Sequence, residues 1–285
     1  MPLLRISTRA TSYTEPVVAE LFESVFGQPP VVESKPDTAG CVISIYVEAS
    51  QWTRAKQQTL RKCLPAGVKS PRVQTVRRED WAESWKRHFK PIEIGRELLV
   101  KPSWSKRRAR KGQAVVVLDP GLSFGTGQHH TTRFCLTQLV KLRRKGEKQS
   151  VFDIGTGSGI LAIAAARLGY APLSAIDNDA EAVRIARDNA RRNRVERKIH
   201  FQCNALGDMR RLSGFDVVCA NLIANVLMAE SERIVGTLKP CGALIASGIL
   251  DREFSDVAAE FERRGLQLIR TQKEKPWRSG VFRKP

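Results

Sequence analysis

The chain has 285 residues, of which 42% are hydrophobic and 27% charged, with a formal net charge of +19. This length fits one large or two ordinary domains, the balance is that of a globular protein, and no apolar run reaches the roughly 18 residues of a membrane span. Six scattered cysteines without a C-x-x-C pair, mostly in apolar runs, and an N-terminus without a secretory pattern point to free thiols in a cytoplasm rather than to a disulfide framework.

In chain order, Leu3–Arg9 alternates as a strand does. Thr14–Phe26 places Val17, Val18, Leu21, Phe22 and Val25 on one helical stripe, with Ser12 or Thr14 as N-cap and Gly27 and Pro29-Pro30 as the stop. Val31–Ser34 and Cys41–Glu48 read as strands around a turn, Trp52–Leu64 as a helix, and Arg72–Arg77 as a final strand. The order β-α-β-β-α-β predicts a small ferredoxin-like α+β domain over residues 1–78. Residues 79–115 read as an interdomain connector, a helix carrying Trp81, Trp85 and Phe89 followed by extended chain after Pro91.

Two basic runs follow, Ser105–Gly112 and Lys141–Lys148. Residues 81–150 hold 16 Lys and Arg against 5 Asp and Glu, more than half of the whole excess. The runs are therefore either solvated loops or a patch for an acidic partner such as a ribonucleoprotein. Neither interleaves the aromatics of a base-stacking surface.

From Gln149 the pattern alternates regularly. Strand Ser150–Gly155, helix Gly159–Gly169, strand Pro172–Asp179, helix Ala180–Asn193, strands Lys198–Ala205 and Phe215–Ile223, helix Ser231–Leu238 and strand Gly242–Leu250 predict a doubly wound parallel sheet. The last stretch, Leu266–Lys284, reads as a hairpin that adds antiparallel edge strands. In such sheets ligands bind at the carboxyl ends of the strands. The first strand ends Asp153-Ile154-Gly155-Thr156-Gly157-Ser158-Gly159. G-x-G-x-G after an acid, rather than G-x-G-x-x-G, favours a nucleoside without a pyrophosphate. The second strand ends at Asp177 and Asn178, where a carboxylate can accept bonds from both ribose hydroxyls. Together these positions predict S-adenosylmethionine as cofactor.

Asn221, at the end of the fourth strand, falls on the same edge. Its carbonyl could accept an N–H from an amine and aim the lone pair at a methyl group, which makes it the candidate catalytic residue; capping of the next turn is the alternative. His129 and His130 predict no metal site, because adjacent side chains on one loop lack a third ligand.

These motifs resemble the PrmA-type ribosomal protein methyltransferases. The resemblance runs through DWAESWKRHFKPIEIG, LLVKPSW, LDPGLSFGTGQHHTT, DIGTGSGILAIAA, AIDNDAEAVRIARDNARRN, ANLIA and SGIL, between Asp80 and Leu250. It implies a Rossmann-like class I methyltransferase domain over residues 116–285, with the small domain recognising the substrate. Thr132 would then contact S-adenosylmethionine, Gly155 would back its methionine moiety, with Asp153, Gly157 and Gly159 in the same turn, and Asp177 would bind its ribose beside Asn178. Phe124, Gly125, Thr126 and Gly127 would form a loop closing over the donor, and Asn221 would line the active site. The acceptor implied is a lysine amine, with an N-terminal amine as a further acceptor, on a large-subunit ribosomal protein, free or assembled. A monomer is expected, with the basic loops near rRNA.

Departures are Gln128 and His130, where the family usually has Thr and Pro, the strongly basic charge, and Leu-Ile-Ala after Asn221 in place of a Gly-Pro turn. An RNA methyltransferase, or a ribosome-associated binding protein with a relict donor pocket, are the alternative functions. The first would carry an aromatic base clamp after Asn221, which this chain lacks; the second would leave donor positions unfilled.

Overall fold

A computed structural model describes residues 3–11, 13–27, 30–34, 40–76, 90–119, 129–208 and 213–285. The chain divides into two compact units, Met1–His88 and Phe89–Pro285. The helix expected around Trp81, Trp85 and Phe89 lies outside the described residues.

In the first unit, β1 (Leu3–Thr11), α1 (Glu15–Phe26), β2 (Val31–Ser34), β3 (Gly40–Glu48), α2 (Arg54–Cys63) and β4 (Arg72–Val76) follow the expected order. The antiparallel sheet runs β2-β3-β1-β4, a ferredoxin-like arrangement. Its core joins Ile6, Ile43 and Ile45 from the sheet to Val18, Phe22 and Leu60 from the helices. The buried stripe of α1 is Val18, Phe22 and Phe26. Val17, placed on the stripe from sequence, is instead 52% exposed. Spacing of four selects 18, 22 and 26, and residue 17 lies a hundred degrees around the helix from 18. Thr14 occupies the N-cap position, but its side chain makes no capping bond and bonds Thr11 instead.

The second unit opens with β5 (Ile92–Ile94), β6 (Leu98–Lys101) and β7 (Ala114–Val117), a small sheet of order β5-β6-β7. Helix α3 (His130–Leu142) follows. The main sheet comprises β8 (Val151–Ile154), β9 (Leu173–Asp177), β10 (Ile199–Cys203), β11 (Phe215–Asn221), β12 (Leu238–Leu250), β13 (Gln267–Glu274) and β14 (Trp277–Arg283). Its order is β10-β9-β8-β11-β12-β14-β13, with the first five parallel and the terminal hairpin antiparallel. Strand order reverses beside β8, which is where a doubly wound sheet opens a crevice. Helices α4 (Ile160–Leu168), α5 (Ala180–Arg192), α6 (Ala224–Ala229), α7 (Ser231–Thr237) and α8 (Phe254–Arg263) cover it.

Two apolar clusters line the two faces of the sheet. One gathers α3, α4 and α5 around Val151, Ala175 and Cys219; the other gathers α6, α7 and α8 around Phe152, Val218 and Leu244. Neighbouring residues Val151 and Phe152 point to opposite faces, as strand geometry requires. Only Cys41, Cys135 and Cys219 are buried, while Cys63, Cys203 and Cys241 are exposed, so half rather than most of the free thiols sit in the core. The helix read from sequence at Ser231–Leu238 ends at Thr237, and α6 precedes it.

Candidate functional site

The carboxyl ends of β8, β9, β10 and β11 meet around a cleft of about 290 Å³. Its walls include Gly155, Asp177, Asn178, Asn204, Leu222 and Glu230. Asp177 and Glu230 are its charged groups, and no cation is among its described walls.

The glycine turn is built by backbone and carboxylate bonds. Asp153, next to last in β8, is almost fully buried, and its Oδ2 accepts from Thr156 Oγ1 at 2.7 Å and from Ala162 N–H at 3.2 Å. Its Oδ1 is buried with no partner among the described residues. Burial pushes the Asp153 carboxyl up to about 6 from an ordinary 3.8. Thr156 N–H then bonds Ile176 C=O at 2.9 Å, tying the turn to β9. Gly155 has φ +69°, and a side chain there would strike Leu222 across the cleft. At Gly159, φ +80°, a Cβ would stand 3.0 Å from that of Ala186, so this glycine lets α4 and α5 approach.

Asp177, the last residue of β9, accepts from Gly157 N–H at 2.8 Å through Oδ2 and from Asp179 N–H at 3.1 Å through Oδ1. A carboxylate has about four lone-pair sites, so both oxygens keep acceptor capacity toward the cleft. Asn178 lies beside it on the wall, and Asn204, which sequence reasoning passed over, bonds Asp177 C=O through its N–H at 3.0 Å. Its only signal was position, since it follows the end of the third strand. Glu230 was also missed, because it sits in the turn between two short helices.

Asn221 ends β11 on the same edge but is not itself a wall of the cleft; its neighbour Leu222 is. The segment is held by Leu222 N–H bonding Ser247 C=O at 3.0 Å. Gly248, φ +81°, faces it so closely that a Cβ would lie 2.7 Å from Leu222 O and 3.1 Å from Asn221 Oδ1.

Thr132 lies in the first turn of α3, buried, its Oγ1 without a partner among the described residues. Residues around it anchor the helix start. Thr131 C=O accepts from Ser247 Oγ at 3.2 Å, and Ser247 Oγ also bonds Ser279 Oγ at 2.7 Å. His129 Nδ1 bonds Thr131 Oγ1 at 2.7 Å and meets Trp277 edge-on, while His130 Nδ1 pairs with Glu274 at 2.6 Å. Burial and the neighbouring His130 lower the pKa of His129. Phe124, Gly125, Thr126 and Gly127 lie outside the described residues. No group of His, Cys, Asp or Glu among the described residues could hold a metal ion.

The residues fit S-adenosylmethionine: the cleft is acidic and walled by bare backbone at Gly155, and the buried oxygens of Asp153 and Thr132 are unpaired among the described residues. Carboxylates and unpaired acceptors suit a ligand that carries a sulfonium, an ammonium and ribose hydroxyls.

A family model described as "Ribosomal protein L11 methyltransferase (PrmA)" matches residues 7–285. A relative of that name from Pelotomaculum thermopropionicum is 43% identical over 219 residues, spanning 76% of this chain and 70% of the relative. One from Desulfitobacterium hafniense is 34% identical over 304 residues, 95% of each chain. The crystal structure of a ribosomal protein L11 methylase from Lactobacillus delbrueckii subsp. bulgaricus superposes with a TM-score of 0.61 at 28% identity, covering 69% of this chain and 99% of that one.

Proposed function

The chain belongs to the ribosomal protein L11 methyltransferase (PrmA) family, and from that membership we propose that it methylates lysine amines of ribosomal protein L11. It acts as a cytoplasmic monomer, on the substrate free or on the large subunit, with its basic loops near rRNA there and the Met1–His88 unit recognising the substrate. No helix among the described residues is long and apolar enough to cross a membrane. The observation that carries the reading is the family match over residues 7–285 together with an acidic, glycine-walled cleft at the switch point of the sheet.

S-adenosylmethionine, when bound, supplies an electrophilic methyl group. The chain's own residues position the partners. Asp177 accepts the ribose hydroxyls with the lone pairs that Gly157 and Asp179 leave free. Gly155 presents bare backbone at the cleft wall, packed against Leu222, and Thr132 and Asp153 offer their unpaired oxygens. Asn221 accepts an N–H of the incoming neutral amine through Oδ1 and sets its lone pair in line; such orientation is the main contribution a protein can make to a displacement at carbon. The acidic cleft attracts a cationic lysine, which gives its proton to solvent water before it meets the methyl group.

The test is transfer of labelled methyl from S-adenosylmethionine to L11 and to large subunits lacking the modification, followed by separation of protein from RNA. Label on lysines of L11 is the expected result. Label confined to rRNA, or none, overturns the reading. In the same assay Asp177→Ala should weaken donor binding by about 10- to 100-fold, as loss of hydrogen bonds to a charged acceptor does; unchanged affinity in calorimetry refutes its ribose role.

A further inference from the structure

The charge of the second unit is segregated by sheet edge. At the carboxyl edge, residues 177–181, 204–208, 222–230, 251–253 and 274–277 hold eight Asp and Glu against two Lys and Arg. At the amino edge, the connections 143–150, 193–198, 238–242 and 283–285, with the first basic run at 105–112, hold fifteen Lys and Arg against two Asp and Glu. The large positive excess therefore avoids the cleft and collects on the other side of the sheet.

The register shows that these connections share one edge. Ile199, Leu173, Val151, Val217, Ala243 and Arg283 are successive neighbours across β10, β9, β8, β11, β12 and β14. At about 4.8 Å per strand this row spans roughly 24 Å. The second basic run is pinned there, with Arg143 donating to Leu168 C=O and Gly169 C=O, and Arg144 and Lys239 reaching Asp216. The first run, distant in sequence, is tied to the same edge. Asn193 exchanges two 2.7 Å bonds with the Val117 backbone, and Asp119 joins Arg192 to Ser103 N–H. Lys101 Nζ then holds the carbonyls of Ser105 and Arg107 at 3.1 and 2.9 Å.

Helices α3, α4 and α5 end at this edge, and cations near helix C-termini complement the macrodipole. That accounts for Lys141, Arg167, Arg191 and Arg192, which lie in the last turns. It does not account for Lys106, Arg108, Lys111, Lys145, Lys148, Arg197 and Lys198. These are exposed, lie outside α3, α4 and α5, and have no ion pair among the described residues.

We propose that this amino edge is a docking surface for the phosphate backbone of double-stranded RNA. It deepens the rRNA contact of the preceding reading and gives it an address. The unpaired cations gather at the β8–β10 end of this edge, and such a cluster matches a duplex, whose phosphates recur every few ångströms. Among the described residues of this unit, the exposed large apolar side chains Ile223, Val226 and Met228 lie at the carboxyl edge, and Ile269 on β13 stands alone near the amino edge, too little to anchor a membrane or an apolar protein interface. The runs themselves carry no aromatic, and Trp104 beside the first is half-buried, so binding reads shape and charge rather than sequence. Docked this way, the acidic cleft faces away from the RNA and stays open to a protein side chain.

The test is fluorescence anisotropy of a labelled 20-base-pair RNA duplex with the full chain, without donor or L11, between 50 and 300 mM KCl. The logarithm of affinity should fall linearly with that of salt, by about 0.9 per phosphate contacted. The double variants K106E/R108E and K145E/K148E should each lose at least about tenfold in affinity and roughly 2 in slope. R252E/K275E, an equal charge change at the carboxyl edge, should retain wild-type RNA binding. Absence of binding at 50 mM, equal losses in all three variants, or equal binding of polyglutamate overturns the proposal. Since neither donor nor L11 is present, such a failure leaves the methyl-transfer reading standing, and failure of methyl transfer leaves this result standing.

Discussion

At the scale of single residues, Asp153 joins the turn to the chemistry. One carboxylate oxygen holds the glycine turn through Thr156 and Ala162, and the other is buried without a partner among the described residues. Its pKa, raised to about 6, makes the folded state bind a proton that the unfolded chain has released above about pH 4. Its stabilising contribution is thus full below the unfolded pKa and is lost as pH rises through 6. A shift of about two units corresponds to roughly 3 kcal/mol at most. Asp153→Asn removes this dependence, so the variant should gain on the wild type by up to that amount between pH 4 and 7. Urea denaturation of both proteins across this range measures it, and a constant difference would refute the burial effect. Carboxylates such as Glu93 and Asp216, held low by Arg107 and by Ser150 and Lys239, run the other way, but they cancel in the difference.

At the scale of elements, the contact of β11 with β12 sets the position of Asn221. Gly248 occupies a left-handed conformation and abuts the Asn221-Leu222 backbone. Gly248→Ala should cost about 1–3 kcal/mol from backbone conformation alone. It should also push Asn221 aside, and a misplacement near 1 Å can cost about a hundredfold in rate. Turnover should therefore fall further than donor affinity in parallel kinetic and binding measurements; equal losses would place Asn221 in binding alone. The strand ends themselves were legible, because apolar strands with Asp153, Asp177 and Asn221 at or next to their ends alternate with helices at a regular interval. Helix α3 was not read as one, since His130-Thr131-Thr132 has the local preferences of a loop. Its helical state comes from tertiary burial of Phe134, Cys135, Leu136 and Leu139. The small sheet β5-β6-β7 was likewise hidden, since its three- and four-residue strands are defined only by their pairing, β5 with β6 across a short turn and β6 with β7 across the Ser105–Gly112 run. His130, seen from sequence as a departure from the family signature, finds its partner Glu274 on the distant hairpin, which no local pattern could supply.

At the scale of the whole molecule, every described donor-site candidate lies within Phe89–Pro285, and none within Met1–His88. A ligand stabilises only the cooperative unit that binds it, by about 2.7 kcal/mol at a hundred times its Kd. Unfolding enthalpy scales with length at about 0.7 kcal/mol per residue near 60 °C, so the larger unit should give the larger calorimetric transition. Saturating S-adenosylmethionine should raise that transition by a few degrees and leave the smaller one in place. The same scan with Asp177→Ala should lose the shift, which separates donor binding from a general effect of the additive. An upward shift of the smaller transition alone would move the donor site out of the sheet cleft. The ferredoxin-like unit, whose core needs no cofactor to close around Ile6, Phe22 and Ile43, would then need a binding role that its side chains do not suggest.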